Sequence, residues 1–202
     1  MNKAKFRLLC FIITLVAVNF WAAPLLAADD TSLVLSEDTP FGLGWGMTEK
    51  QVKALGATLS HSQTYENIDI FSSRKLPEQL PVIRVDSYSL LFDKKWGLQK
   101  IMMYSKIIQN DQDGEVGESQ YFELKNFLMK RHGNPISISE KDDFDDSSQC
   151  FPSKWCDKWS TAFSNNNAHI TLDLKRMVNL VSYISLVYEG PSWEDIVNRN
   201  NK

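Results

Sequence analysis

One short segment limits the folds open to this chain more than any other. Leu180-Val181-Ser182-Tyr183-Ile184-Ser185-Leu186-Val187-Tyr188 is apolar on both of its alternating faces, and Gly190-Pro191 stops it. A strand of that kind belongs in the middle of a sheet, because a strand with one wet face alternates apolar with polar. The neighbouring segments read as its partners. Ala168 to Leu174 places Ile170, Leu172 and Leu174 on one face and reaches the central run through a turn at Lys175 to Asn179. Trp159 to Phe163 is a further strand. Val82 to Phe92 and Leu98 to Lys106 are joined by Asp93-Lys94-Lys95-Trp96-Gly97, the glycine-bearing connection of a hairpin. Ile68 and Ile70 alternate against Asp69, Ile136 and Ile138 alternate with serines, and the glycine-dense Phe41 to Gly46 reads as a short strand or extended segment.

Three helices fall between these strands. Thr48 is placed to cap the first, and Gln51 at N3 completes a capping box. Met47 is placed to staple onto Val52, and Gly56 ends the helix, which spans Glu49 to Leu55 with Val52 and Leu55 inward. The longest helix runs from Glu118 to His132. Tyr121, Leu124, Phe127 and Leu128 form its apolar stripe, and Lys130, Arg131 and His132 complement the dipole at its end. Gly133 and Pro135 terminate it. Ser192 caps a final helix from Trp193 to Asn198. No series of parallel crossovers is present, so the expected fold is α+β with a largely antiparallel sheet. Residues 41–202 are read as a single α+β domain, with two closely packed αβ lobes as the alternative partition. No internal sequence repeat is evident.

Residues 1–27 read as a secretory signal peptide. Lys3, Lys5 and Arg7 make a positive start, Leu8 to Val18 is apolar, and Ala27 or Ala28 offers the small residue at the cut. The competing reading is an uncleaved anchor over Leu8 to Ala28, which Asn19 and Pro24 interrupt. Residues 28–40 form a polar lead-in. The expected product is therefore a periplasmic chain with no stable membrane insertion after cleavage. Removing the leader takes away three bases and no acid, so 22 bases against 25 acids become 19 against 25. That acidic balance argues against a nucleic-acid partner, whose phosphates need Lys and Arg. Cys150 and Cys156 are the cysteines left, and in an exported chain they are expected to form one disulfide. Their C-x₅-C spacing differs from the redox C-x-x-C.

The run Gly46-Met47-Thr48-Glu49-Lys50-Gln51-Val52-Lys53-Ala54-Leu55-Gly56 resembles the G-M-[ST]-x-x-x-V-x-x-L-G opening of the SmpA/OmlA-like envelope proteins. The wider group includes folds similar to β-lactamase-inhibitor proteins, in which helices pack on an antiparallel sheet. The resemblance implies an envelope-located, non-catalytic module that works by binding another protein. This chain departs from the pattern in lacking a lipid-acceptor cysteine and in being longer than one such unit.

The chemistry-bearing residues favour binding over catalysis. Asp111-Gln112-Asp113-Gly114-Glu115 has part of a calcium-loop pattern, but the frame that puts Gly114 sixth puts Gln120 where the bidentate acid belongs, so an ordinary turn is expected and no metal. No nucleophile-elbow, zinc-protease, phosphate-loop or dinucleotide motif is present. His61, His132 and His169 are separated in sequence, no catalytic residue is assigned and no cofactor is expected. Of the tryptophans, Trp45, Trp159 and Trp193 read as core. Phe151, Lys154 and Trp155 inside the Cys150–Cys156 loop form a candidate anchor for a protein partner. Asp142, Asp143, Asp145 and Asp146 form a candidate docking patch for a basic partner. The functional expectation is a periplasmic protein-binding module, as an inhibitor or immunity protein or an envelope accessory protein. The alternative is a small-ligand-binding protein or a hydrolase with a site the sequence does not mark.

Overall fold

A computed structural model describes residues 40–111, 114–140, 156–177 and 181–200. Its strands are β1 (Ser60–Tyr65), β2 (Ile68–Ser73), β3 (Val85–Asp93), β4 (Gly97–Ser105), β5 (Ser137–Glu140), β6 (Cys156–Ser164), β7 (His169–Met177) and β8 (Val181–Glu189). They form one antiparallel sheet in the order β1-β2-β3-β4-β8-β7-β6-β5. The helices are α1 (Glu49–Ala54), α2 (Glu115–His132) and α3 (Trp193–Asn200). The protein is thus α+β. The doubly apolar segment is β8, an interior strand flanked by β4 and β7. Each half is a helix followed by four strands, and the halves meet where β4 pairs with β8.

Register assigns the two faces. Directly opposed residues of antiparallel strands share a face, so Tyr88, Leu90, Ile101, Met103, Ile184, Leu186, Leu172, Ile170 and Phe163 lie together. All are fully buried. Over the first half this face is covered by residues 40–59 and the 74–84 loop, with Phe41 edge-on to Tyr88 at 5.1 Å and to Tyr188 at 5.6 Å. Over the second half α2 covers it through Tyr121, Leu124 and Leu128, and its nearest strands are β6, β7 and β8.

Local chemistry explains the helix ends. Thr48 Oγ1 accepts from Gln51 N while Gln51 Oε1 accepts from Thr48 N at 2.8 Å, the reciprocal capping box. At the other end Gly56, at φ 96°, donates to Lys53 O, and Ala57 donates to Val52 O. This is a Schellman motif, and it seals the helix by burying Val52 and Ala57. Leu55, expected inward, is the C-cap and is 39% exposed. Helix α2 begins one turn before the expected Glu118. The Asp111 carboxylate accepts from Val116 N at 3.0 Å and Gly117 N at 2.9 Å, and so satisfies two donors that an uncapped helix start would leave open.

Other expectations are corrected. Residues 41–46 are not a strand: a 3₁₀ turn, Pro40–Gly42, opens them, and Phe41, Gly42 and Gly46 all have positive φ, which breaks an extended path. The first strand is instead β1, an edge strand whose six residues are all exposed, so no alternation of polarity marks it. The short strand expected at Ile136 and Ile138 is present as β5, but it lies at the opposite edge of the sheet and these two side chains are 62% and 53% exposed. Trp159 is buried, as expected of a core residue, whereas Trp45 and Trp193 are only partly so.

Candidate functional site

The second face of the sheet has a different make-up. Register places Leu91, Lys100, Met102, Tyr104, Tyr183, Ser185, Val187, Glu189, Thr171, Asp173 and Lys175 on it. Met102 opposes Val187, which opposes Thr171; Tyr104 opposes Ser185, which opposes Asp173. Except for the buried Ser185, these residues are partly exposed. Among the described helices only α3 reaches this face, and it does so at one end. Trp193 lies under Lys100 Nζ at 4.6 Å, and Arg199 pairs with Asp93 at the β3–β4 turn. The middle, around Met102, Tyr104, Tyr183 and Val187, has no helix of the described residues over it.

Polar pairs frame this apolar centre. Lys100 Nζ donates to Glu189 Oε1 at 2.7 Å on one side, and Lys175 Nζ lies 3.7 Å from Asp173 Oδ2 on the other. The Tyr104 and Tyr183 rings are 6.4 Å apart at a tilt of 51°. Burial pushes the Tyr104 phenol above its ordinary range, against the opposing pull of Lys175. It stays neutral near pH 7 and presents a hydroxyl on an apolar body. An apolar centre with a charged rim is the anatomy of a protein interface.

The residues with acid–base or nucleophilic chemistry do not converge. His61 is exposed on β1, where Nε2 lies 3.1 Å from Thr64 Oγ1. His132 ends α2 against Tyr188 on the helix-covered face, whereas His169 opposes Glu189 on the other. Asp111, the first acid of the calcium-like run, caps α2 and accepts from Ser182 Oγ at 3.0 Å. Asp93 is buried. Desolvation alone would raise its pKa, but the Arg199 guanidinium and the N–H groups of Lys95 and Trp96 outweigh that and hold it below the usual carboxylate range. A further network, buried at Tyr121 and Thr161 and partly buried at Glu140, joins Tyr121 OH to Thr161 Oγ1 at 2.5 Å, Thr161 Oγ1 to Glu140 Oε1 at 3.3 Å, and Lys125 Nζ to Glu140 Oε1 at 2.6 Å. It fastens β5 and β6 to α2. Burial pushes the Tyr121 phenol well above its ordinary range, so it serves as a neutral hydrogen-bonding group.

The candidate residues Asp142, Asp143, Asp145, Asp146, Cys150, Phe151, Lys154 and Trp155 lie outside the described residues. Cys156 opens β6, where it pairs with Arg176 across the ladder, and its side chain is outside the description. The partly exposed sheet face escaped the sequence reading, although one signal pointed to it. Tyr183 and Val187 are the second apolar face of the central strand, and the helices cover the first. Among the described residues no group of three His, Cys, Asp or Glu is placed to hold a metal ion, and no helix is long and apolar enough to cross a membrane. No family model matches this chain, and no curated protein or solved structure is similar to it at a significant level.

Proposed function

We infer that this chain is an exported, non-catalytic module that binds another protein through the second face of its sheet, around Met102, Tyr104, Tyr183 and Val187. The observation that carries the reading is the asymmetry of the two faces. A central strand apolar on both sides is buried by helices on one side and left partly exposed on the other. The reading extends to a periplasmic location after cleavage near Ala27 and to a Cys150–Cys156 disulfide, with an inhibitor or immunity role or an envelope accessory role as the two forms of the same activity. An acidic exported chain with a rigid sheet suits recognition of a folded partner, because a preformed surface loses little conformational freedom on binding.

A photo-crosslinking residue placed in turn at Met102, Val187 and the exposed α2 position Asn126 tests this in cells that make the protein. The expected result is one discrete protein adduct from Met102 and Val187 and none from Asn126. Val187→Asp should remove the Met102 adduct while leaving the thermal transition in place. Adducts of equal yield from all three positions, or none from any, overturn the assignment.

A further inference from the structure

The two ends of the sheet are built differently. At one end β1 carries Ser60-His61-Ser62-Gln63-Thr64-Tyr65, and a bulge between His61 and Gln63 interrupts its ladder to β2. A polar, bulged edge resists pairing with another chain. At the other end β5, Ser137-Ile138-Ser139-Glu140, keeps an unbroken register to β6 and has no strand beyond it among the described residues. Register gives its two sides. Ile138 opposes Thr161 and Glu140 opposes Trp159 on the helix-covered side, whereas Ser139 opposes Ser160 on the other. Ile138 and the preceding Ile136 are both more than half exposed. On the same side the Phe122 ring of α2 stands 5.0 Å from Trp159 and is also exposed. Glu140, the one charged residue of the strand, is paired with Lys125. No unpaired charge, proline or bulge within β5 protects this edge.

The pattern of the edge selects what pairs with it. An added strand must set apolar side chains on the isoleucine side and small polar ones on the serine side, because a slip of one residue exchanges the two. A second copy of β5 meets that requirement. A two-fold axis normal to the sheet leaves each face on its own side, so an antiparallel copy sets isoleucine beside isoleucine and serine beside serine. The opposite edge does not meet it, since β1 is polar from Ser60 to Thr64 and gives the isoleucines nothing to pack on. Charge selects the direction. Lys130, Arg131 and His132 precede β5 in the sequence, and Asp142, Asp143, Asp145 and Asp146 follow it. Copies that run in opposite directions join the basic side of one to the acidic side of the other at both ends, whereas parallel copies would set like charge beside like. We propose that β5 pairs antiparallel with β5 of a second copy of this chain, through Ile136, Ser137, Ile138 and Ser139, and closes a two-fold dimer. A contact a few residues long is at the small end of specific interfaces, so the dimer is a reversible one. The seam lies three strands away from β8 and leaves the face around Met102 and Val187 open.

Sedimentation velocity of the protein, with residues 28–202 intact, tests this from about 5 µM to about 1 mM. The expected result is a reversible monomer–dimer equilibrium with a Kd on the order of 100 µM and no larger species, because a two-fold contact closes on itself. Ile138→Lys places like charges across the seam and should weaken dimerisation by about tenfold or more. Its thermal transition should be unchanged, since the side chain it replaces is exposed. Ile136→Lys should act in the same way and serves as the second variant. Ser62→Lys on β1 and Val187→Asp on the second face should leave the Kd where it was. A protein that stays monomeric over the whole range overturns the proposal. So do assemblies larger than a dimer, a dimer that survives both isoleucine substitutions, or a dimer lost with Ser62→Lys or Val187→Asp. The crosslinks from Met102 and Val187 to another protein are a separate readout, so the two readings fail separately.

Discussion

Gly117 lies in the first turn of α2, where intrinsic propensity favours alanine over glycine by roughly 0.8–1 kcal/mol. The tertiary structure reverses that sign. A Cβ at Gly117 would stand 2.9 Å from Asp111 Oδ2, 2.9 Å from Ser182 Oγ and 3.1 Å from Leu174 Cδ1. Asp111 Oδ2 cannot simply move away, because it accepts from Gly117 N at 2.9 Å and from Ser182 Oγ at 3.0 Å. Either one of these bonds breaks, leaving a buried polar group unpaired at a cost of about 1–3 kcal/mol, or α2 lifts off β7 and β8, an overpacking cost of roughly 1–3 kcal/mol. After the propensity gain is subtracted, Gly117→Ala should destabilise the fold by about 1 kcal/mol. With a urea m-value near 2 kcal/mol/M, the midpoint falls by about 0.5 M. Equilibrium urea unfolding, followed by tryptophan fluorescence and far-ultraviolet circular dichroism, reads this directly. Asn126→Ala, exposed on the same helix, should gain about 0.5 kcal/mol instead. A Gly117→Ala midpoint equal to or above that of the parent would refute the packing argument.

Three further outcomes follow from the same structure. Thr48→Ala removes the capping box of α1 and should cost about 1 kcal/mol in the same urea titration. Asp93→Asn should flatten the acid limb of stability: because the native pKa is depressed, the carboxylate's contribution is present above its unfolded value of about 3.9 and is lost as pH falls through the native one. The assay is urea unfolding at a series of pH values from neutrality downward, and an unchanged acid limb in the variant would count against the Arg199 contact. Lys125→Ala leaves the partly buried Glu140 without its cation and should cost about 2 kcal/mol. Lys125→Met with Glu140→Leu should recover most of that loss, and a double-mutant cycle that sums to zero would show that the pair is not coupled.

Some elements of this fold are local enough to be legible from the chain alone. Thr48, Gln51 and Gly56 act within a few residues of one another, so both ends of α1 follow from spacing. The two apolar phases of β8 mark an interior strand, because a strand with one fully wet face alternates apolar with polar. The alternation across residues 168–174 reports one covered face for the same reason. Edge strand β1 was not legible, since its side chains face water on every side and backbone pairing to β2 alone makes it a strand. The early start of α2 depends on Asp111, which reaches the helix from outside its first turn and is itself held by Ser182 on β8.

The sequence by itself therefore determined the antiparallel α+β class, the capped first helix and the identity of the central strand, because each rests on periodicity or capping within one short segment. Only the tertiary structure decided which face of the sheet the helices cover, that the two halves share one sheet through β4 and β8, and where the partly exposed apolar centre lies. Those features depend on contacts between residues far apart in the chain, such as Asp111 with Ser182 and Lys100 with Glu189 and Trp193. No local pattern records which distant side chain will arrive to bury, pair with or leave exposed a given residue.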